Sequence, residues 1–403
     1  MLSQLVSAPV SPGAAPRPFF FTASFDGSQR YAGWIDSLRF ARDLAKTSGK
    51  SIHFTYFINS VYFDTAKVPS TIGRAQSRAE ILVRRALAQI AVNEGHEIAS
   101  HGVGHHDGTS WSLEQWRAEL AAFHAVADGL VYAPIRDAEG RAAFPRFSPR
   151  PDAAAGEAGS ACRVDTDCRA MRCADLGDAG RLCAPACNLK KKCSEGSVCG
   201  APFFRQDEDV CLPPPDLPVV VDGATLFDGR GAPRLRGTSL RPLTIRGFRA
   251  PFLGVNDALI EALLERGYRY DTSLAASPGP PRTLAMRRNG PTLLELGLTA
   301  WPGARAIPMD YNYMQLKVTG ERVAADYRAS LIAAYQADKV PFHIGHHFAQ
   351  WEGGAYHRAL EDAVRFAVAE CPDLGAAGSE KKQCPGAVVA SFREVAEAWG
   401  GAK

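Results

Sequence analysis

Short apolar runs alternate with longer amphipathic stretches along most of this chain, and that alternation limits the fold more than any other feature. PFFFTASFD (18–26), IHFTYFI (52–58), HEIASH (96–101), LTIRGFRAP (243–251), YRYDTSL (268–274), VPFHIGHH (340–347) and GAVVASF (386–392) read as strands. GWIDSLRFARDLAKTSG (33–49), SRAEILVRRALAQIAVNEG (77–95), NDALIEALLERG (256–267), ERVAADYRASLIAAYQADK (321–339), YHRALEDAVRFAVAE (356–370) and REVAEAW (393–399) read as helices, with the run ARAIPMDY (304–311) between two of them. Strands rich in apolar residues and separated by helices are buried on both faces, the signature of successive βα units around a parallel sheet or barrel. In such folds functional residues gather at the C-terminal ends of strands.

Eight of the ten cysteines (Cys162, Cys168, Cys173, Cys183, Cys187, Cys193, Cys199 and Cys211) interrupt this pattern within a segment poor in large apolar side chains. Such a segment cannot build its own core, and four disulfides are expected to hold it; a zinc ribbon is the competing reading, but paired CxxC knuckles are missing. FPRFSPRPDAAAGEAGSA before it and CLPPPDLP after it mark it as an insertion. Cys371 and Cys384 flank PDLGAAGSEKKQ and are expected to pair. The expected organisation is an N-terminal linker (1–18), a first part of the barrel (19–150), the cysteine-rich insertion (151–215) and a second part of the barrel (216–403). Disulfides point to an oxidising compartment, so the protein is expected to be secreted, extracellular or periplasmic, with the N-terminus following a removed signal. No run near 20 apolar residues predicts a membrane span. The 46 basic and 43 acidic residues nearly cancel to +3, which argues for a small-molecule or glycan substrate over nucleic acid. The sequence does not set the oligomeric state.

Polar residues recur where strands end. His101 and His105, in IASHGVGHHD, are four apart; on a helical turn both imidazoles would face one side, on the order of 6 Å apart, and could chelate one divalent ion. Solvated loop or capping roles give the same spacing. His106 then points elsewhere, and Asp107 either orients a histidine or caps a turn. Asp26, in TASFDGS, is a site carboxylate or an Asp-Gly turn residue. Arg249, in RAPF, either holds a buried carboxylate or makes a surface ion pair. In PFHIGHH, strand alternation puts His343, Gly345 and His347 on one face and Phe342, Ile344 and His346 on the other, which leaves His347 best placed to enter a site. Asp310 and Tyr311, in IPMDYNY, are cleft residues or loop caps, and Trp351 stacks on a sugar ring or packs between helix and barrel.

Taken in order, SHGVGHH, RAPF and PFHIGHH resemble the H-x3-H metal motif, the R-x-P-Y/F motif and the catalytic-histidine strand of the polysaccharide deacetylases, carbohydrate esterase family 4, chitin-deacetylase-like members in particular. The resemblance covers nearly the whole chain outside the N-terminal linker and the insertion. It implies a distorted (β/α) barrel and hydrolysis of N-acetyl groups on N-acetylglucosamine-containing glycans, chitin-like or peptidoglycan-type. It also implies one divalent metal ion, with Zn²⁺ expected, held by His101, His105 and Asp26. Asp26 as base, Arg249 aiming it and His347 as acid are the implied catalytic residues; Phe252, Asp310, Tyr311 and Trp351 are the implied substrate contacts. One position departs from the family: its first motif carries two adjacent aspartates, a base and a ligand, where this chain has Asp26 and then Gly27. Asp26 as base beside a metal with two histidines, Asp26 as ligand with another base, and a glycan-binding barrel without catalysis all follow from that departure.

Overall fold

The computed structural model describes residues 6–10, 17–64, 68–72, 77–128, 144, 147–176, 180–188, 191–194, 197–200, 209–213, 243–287, 289–373 and 381–400. In chain order the first part holds β1 (Val6–Pro9), β2 (Phe19–Gly27), α1 (Tyr31–Ser48), β3 (Thr55–Ile58), α2 (Arg78–Asn93), β4 (Glu97–Ser100) and α3 (Leu113–Ala127). The insertion contributes the strands β5 (Arg172–Asp175), β6 (Arg181–Ala184), β7 (Val198–Gly200) and β8 (Val210–Leu212). Then follow β9 (Gly247–Phe248), α4 (Asp257–Glu265), β10 (Tyr270–Asp271), β11 (Ala275–Ala276), β12 (Arg282–Ala285), β13 (Leu293–Glu295), β14 (Leu298–Thr299), α5 (Asp310–Gln315), α6 (Gly320–Gln336), β15 (Phe342–His347), α7 (Trp351–Val368), β16 (Ala387–Val389) and α8 (Phe392–Gly400).

The central sheet runs β1-β12-β13-β10-β9-β4-β3-β2-β15, and β16 also pairs with β2. From β9 through β15 every pairing is parallel, as the βα alternation requires. The antiparallel hairpin β12/β13 carries β1 beyond it. The described ladders do not join β1 to β15, so they draw a mixed α/β sheet rather than a closed ring.

Alternation along β2 sorts its residues by face. Phe19, Phe21, Ala23 and Phe25 pack into the large core under the helices, whereas Phe20 joins a smaller cluster with Phe57, Tyr270 and Phe392 on the other side. Thr22, Ser24 and Asp26 share the Phe20 face and are buried too. Burying polar side chains next to aromatics is costly unless they are hydrogen-bonded, so this face is where a site is expected.

Helix α3 lies outside the stretches expected to be helical and begins at a capping box: Ser112 Oγ accepts from Gln115 N while Gln115 Oε1 accepts from Ser112 N. The β12/β13 hairpin likewise lies outside the expected strands. All five expected disulfides are present: Cys162–Cys173, Cys168–Cys183, Cys187–Cys199, Cys193–Cys211 and Cys371–Cys384. Each run of four cysteines in the insertion pairs first to third and second to fourth, and each ends in a small hairpin, β5/β6 or β7/β8. The insertion is thus two copies of one disulfide unit in tandem. It seats on the N-terminal ends of α1 and α2, where Arg30 pairs with Asp209, Ser77 Oγ donates to Ser197 O at 3.4 Å, and Tyr31 fills the space a side chain at Gly200 would need. No helix among the described residues is long and apolar enough to cross a membrane.

Candidate active site

Parallel register brings the strand ends together. His347 on β15 lies directly opposite Asp26 on β2, and Ser100 on β4 is opposite Phe248 on β9, so His101 and Arg249 follow side by side. The cleft above these ends, about 460 Å³, is lined by Asp26, His101, His105 and His347, with Phe252, Tyr311 and Trp351 around it. No described residue of the insertion lines it.

Arg249 is fully buried, 0% exposed, beneath Asp26. Its Nη1 donates to Asp26 Oδ1 at 2.7 Å and to Ser24 Oγ at 3.0 Å, its Nε donates to Thr272 Oγ1 at 2.8 Å, and the guanidinium lies 4.3 Å from the centre of the Phe57 ring. A side chain at Gly345 would come within 3.1 Å of Nη1, so this glycine on β15 leaves the room that the guanidinium occupies. Burial works against ionisation of Asp26, but the charges of Arg249 and His347, and the hydrogen bond from Arg249, outweigh it and hold the pKa below the ordinary carboxylate value. Asp26 is therefore an ionised, aimed carboxylate.

His347 has the opposite bias. Burial disfavours its charged form, but Asp310 accepts from Nδ1 and from the backbone N–H, both at 2.8 Å, and the pKa ends above that of a free histidine. An ionised acid and a proton-holding histidine thus face one another from adjacent strands, the pairing that general acid–base chemistry needs. Asp310 was expected among the substrate contacts. It is 1% exposed under His347, so it positions the histidine instead of meeting a substrate. Tyr311 and Phe252 are exposed and line the cleft. Trp351 packs at 5.4 Å from the His347 ring and 5.8 Å from Tyr311 while lining the cleft.

His101 and His105 come together, with ring centres 5.0 Å apart, though not on the helical turn that their spacing suggested. His101 directly follows β4, and the chain then doubles back through left-handed backbone at Gly102 (φ 71°) and His105 (φ 57°). His101 Nδ1 donates to the Arg249 carbonyl at 2.8 Å, which leaves Nε2 as the lone-pair nitrogen; burial pushes its pKa down to about 3. Burial also lowers the pKa of His105, whose Nδ1 is buried without a hydrogen-bond partner. Two neutral imidazoles with uncommitted nitrogens at one strand end fit a divalent cation. The third expected donor, Asp26, has Oδ1 held by Arg249 and lines the cleft. Among the described residues, the only histidine-containing set with three donor atoms within 4.8 Å of one another is Asp36, His357 and Glu361, between α1 and α7.

The neighbouring residues take other roles. Asp107 Oδ1 accepts from Thr109 N–H and Oγ1–H and so caps a turn. His106 lies near Trp111. His346 is hydrogen-bonded to Tyr327 on α6 at 3.0 Å, on the helix-facing side that alternation gave it. His343 packs 4.6 Å from the Phe392 ring as an interior histidine. Sequence reasoning missed the link from Asp310 to His347, since the partners are 37 residues apart and only the Met309–Gly345 bridge brings them together.

No protein-family model matches the chain, and no curated protein matches it. Solved structures do. A protein of Mycobacterium smegmatis described as a polysaccharide deacetylase aligns over 98% of this chain and 95% of its own, at 14% identity and a TM-score of 0.50. One of Pseudomonas aeruginosa PAO1 with the same description covers 94% and 90%, at 12% identity and a TM-score of 0.46. The chitin deacetylase of Colletotrichum lindemuthianum covers 96% and 89%, at 9% identity and a TM-score of 0.38. The first of these likenesses shows a shared polysaccharide-deacetylase fold.

Proposed function

We propose that this chain is a secreted, metal-dependent deacetylase that hydrolyses N-acetyl groups of N-acetylglucosamine-containing glycans, chitin-like or peptidoglycan-type. The observation that carries the proposal is the pair of opposed biases in one cleft: Asp26, ionised against buried Arg249, and His347, holding its proton against buried Asp310. Amide hydrolysis needs a base for water and an acid for the departing amine. Asp26 takes a proton from the attacking water, the C–N bond breaks as the acyl carbon gains the hydroxyl, and His347 gives its proton to the amine nitrogen. The products are acetate and a free amino sugar. His101 and His105 would hold a divalent cation, Zn²⁺ by their chemistry, which when bound polarises the acetyl carbonyl and acidifies water. Phe252, Tyr311 and Trp351 offer apolar faces for sugar rings. The fold shared with a described polysaccharide deacetylase supports the substrate class. Five disulfides support an oxidising compartment, and a barrel around the cleft, with the cysteine-rich module inserted between its two parts, is the architecture this reading assumes.

Acetate release from chitin oligomers tests the proposal. Asp26→Asn should abolish turnover while the purified protein keeps its cation, and normal turnover by this variant would remove Asp26 from the mechanism. Gly27 favours a second reading, a glycan-binding barrel without turnover, because it supplies no second acid. Oligomer binding without acetate release at any cation concentration would select that reading.

A further inference from the structure

Gly27 stands where the resemblance implies a second carboxylate, and the residue that comes up beside it belongs to another strand end. Gly27 pairs in register with Ile58, the last residue of β3, and Asn59 comes next. Asn59 is 0% exposed. Its Nδ2 donates to the His101 carbonyl at 2.5 Å and points also at the Gly102 carbonyl, at 3.4 Å, so the orientation of the amide is set by its partners. Oδ1 therefore faces away from those carbonyls; it is buried without a hydrogen-bond partner. A Cβ built on Gly27 would sit 3.8 Å from this oxygen. That is ordinary contact distance, so the amide oxygen lies directly beside position 27, whose backbone is left-handed (φ 84°). Leaving a buried acceptor unsatisfied is costly, so an oxygen held in this way calls for a partner.

We propose that Asn59 Oδ1 is the third protein donor to the divalent cation, a neutral amide oxygen in place of the second carboxylate, with Asp26 left to Arg249 and the water proton. The inference rests on the cation reading of His101 and His105 given above. It explains three observations together: Asp26 Oδ1 is held by Arg249, Gly27 has no side chain, and the amide tied through Nδ2 to the His101 carbonyl has a buried oxygen without a partner. Two imidazoles and an amide neutralise none of the cation's charge, so binding is weaker than with a carboxylate in the set, and adding a charge should tighten it.

The test is Zn²⁺ affinity, measured by competition with a chromogenic chelator, together with the visible absorption of the Co²⁺ form. It compares the wild-type chain with Asn59→Ala, Asn59→Asp and His101→Ala, and records the melting temperature of each without metal. Expected are a loss of about tenfold or more for Asn59→Ala, a gain of about tenfold for Asn59→Asp with a shifted Co²⁺ band, and loss of binding for His101→Ala. A purely structural asparagine predicts the opposite sign for Asn59→Asp, because the new carboxylate lacks the Nδ2 donor and meets the His101 carbonyl; weaker or unchanged affinity in that variant overturns the inference while the cation reading stands. A wild-type chain that binds neither ion overturns both.

Discussion

Arg249→Met is the perturbation whose outcome follows most directly from the structure. Arg249 has no exposed surface and makes hydrogen bonds to Asp26, Ser24 and Thr272, the first to a charged acceptor. Methionine fills much of the same volume against Phe57 and Phe392, so packing changes little and the electrostatic consequence dominates. Asp26, 3% exposed, is left as a buried carboxylate without its cation. Breaking a buried pair by removing one partner costs about 3–5 kcal/mol, a large share of the roughly 5–15 kcal/mol that holds a typical protein folded. Replacing both charges costs far less, since a buried pair exchanged for neutral groups is often near neutral in stability. The double variant Arg249→Met/Asp26→Asn should therefore regain at least about 2 kcal/mol over Arg249→Met alone. Urea unfolding of the four chains, with cation removed by chelator, measures this as a double-mutant cycle. Losses that simply add would show that Asp26 and Arg249 are not an interdependent buried pair, and would refute the reasoning.

Asp310→Asn should lower kcat by about 10²–10⁴-fold with little change in KM, because a neutral amide lacks the charge that favours the protonated His347; kcat within twofold of wild type would remove Asp310 from its positioning role. Glu97 is fully buried, and burial raises its pKa from 4.5 to about 6. A folded-state pKa above the unfolded one means that stability present below pH 4.5 is lost as pH rises through 6, about 2 kcal/mol in all. Urea unfolding of Glu97→Gln should show it gaining that amount on wild type between pH 4.5 and 7.5, and a constant gap would contradict the assignment. Replacing Cys371 and Cys384 together by alanine should cost about 2–4 kcal/mol of stability in thermal unfolding without altering turnover, since neither cysteine lines the cleft. Deleting the cysteine-rich module should change the range of glycans used more than cation affinity, through the Arg30–Asp209 contact just beyond Gln29 at the cleft; an unchanged profile would argue against that link.

Much of this arrangement was legible in the chain because parallel βα units write their periodicity into local sequence. Alternation in PFHIGHH placed His346 toward the helices and His347 at the site, and both positions hold. The cysteine count gave five disulfides, although the two tandem first-to-third units depend on strand pairing that spacing does not encode. His101 and His105 were found by their spacing, yet the backbone that joins them is a left-handed loop rather than a helix, because Gly102 and His105 reverse the chain after β4. What stayed hidden were contacts between distant segments. Asp310 reads equally as a cleft residue or a loop cap until the Met309–Gly345 bridge sets it under His347, and Asn59 draws no notice until the register of β2 and β3 brings it beside Gly27. In the set Asp36, His357 and Glu361 the last two are four apart on α7, but Asp36 joins them only through the packing of α1 on that helix.

The central claim, that this cleft hydrolyses acetylated amino sugars with the help of a bound cation, is tested most directly by one measurement: acetate released from chitin oligomers by the purified full chain, before chelation, after it, and after Zn²⁺ or Co²⁺ is returned. The account predicts release that is lost on chelation and restored by either ion, with about one ion bound per chain. Release unaffected by chelation, or no release from any acetylated glycan by protein that carries its ion, would contradict it.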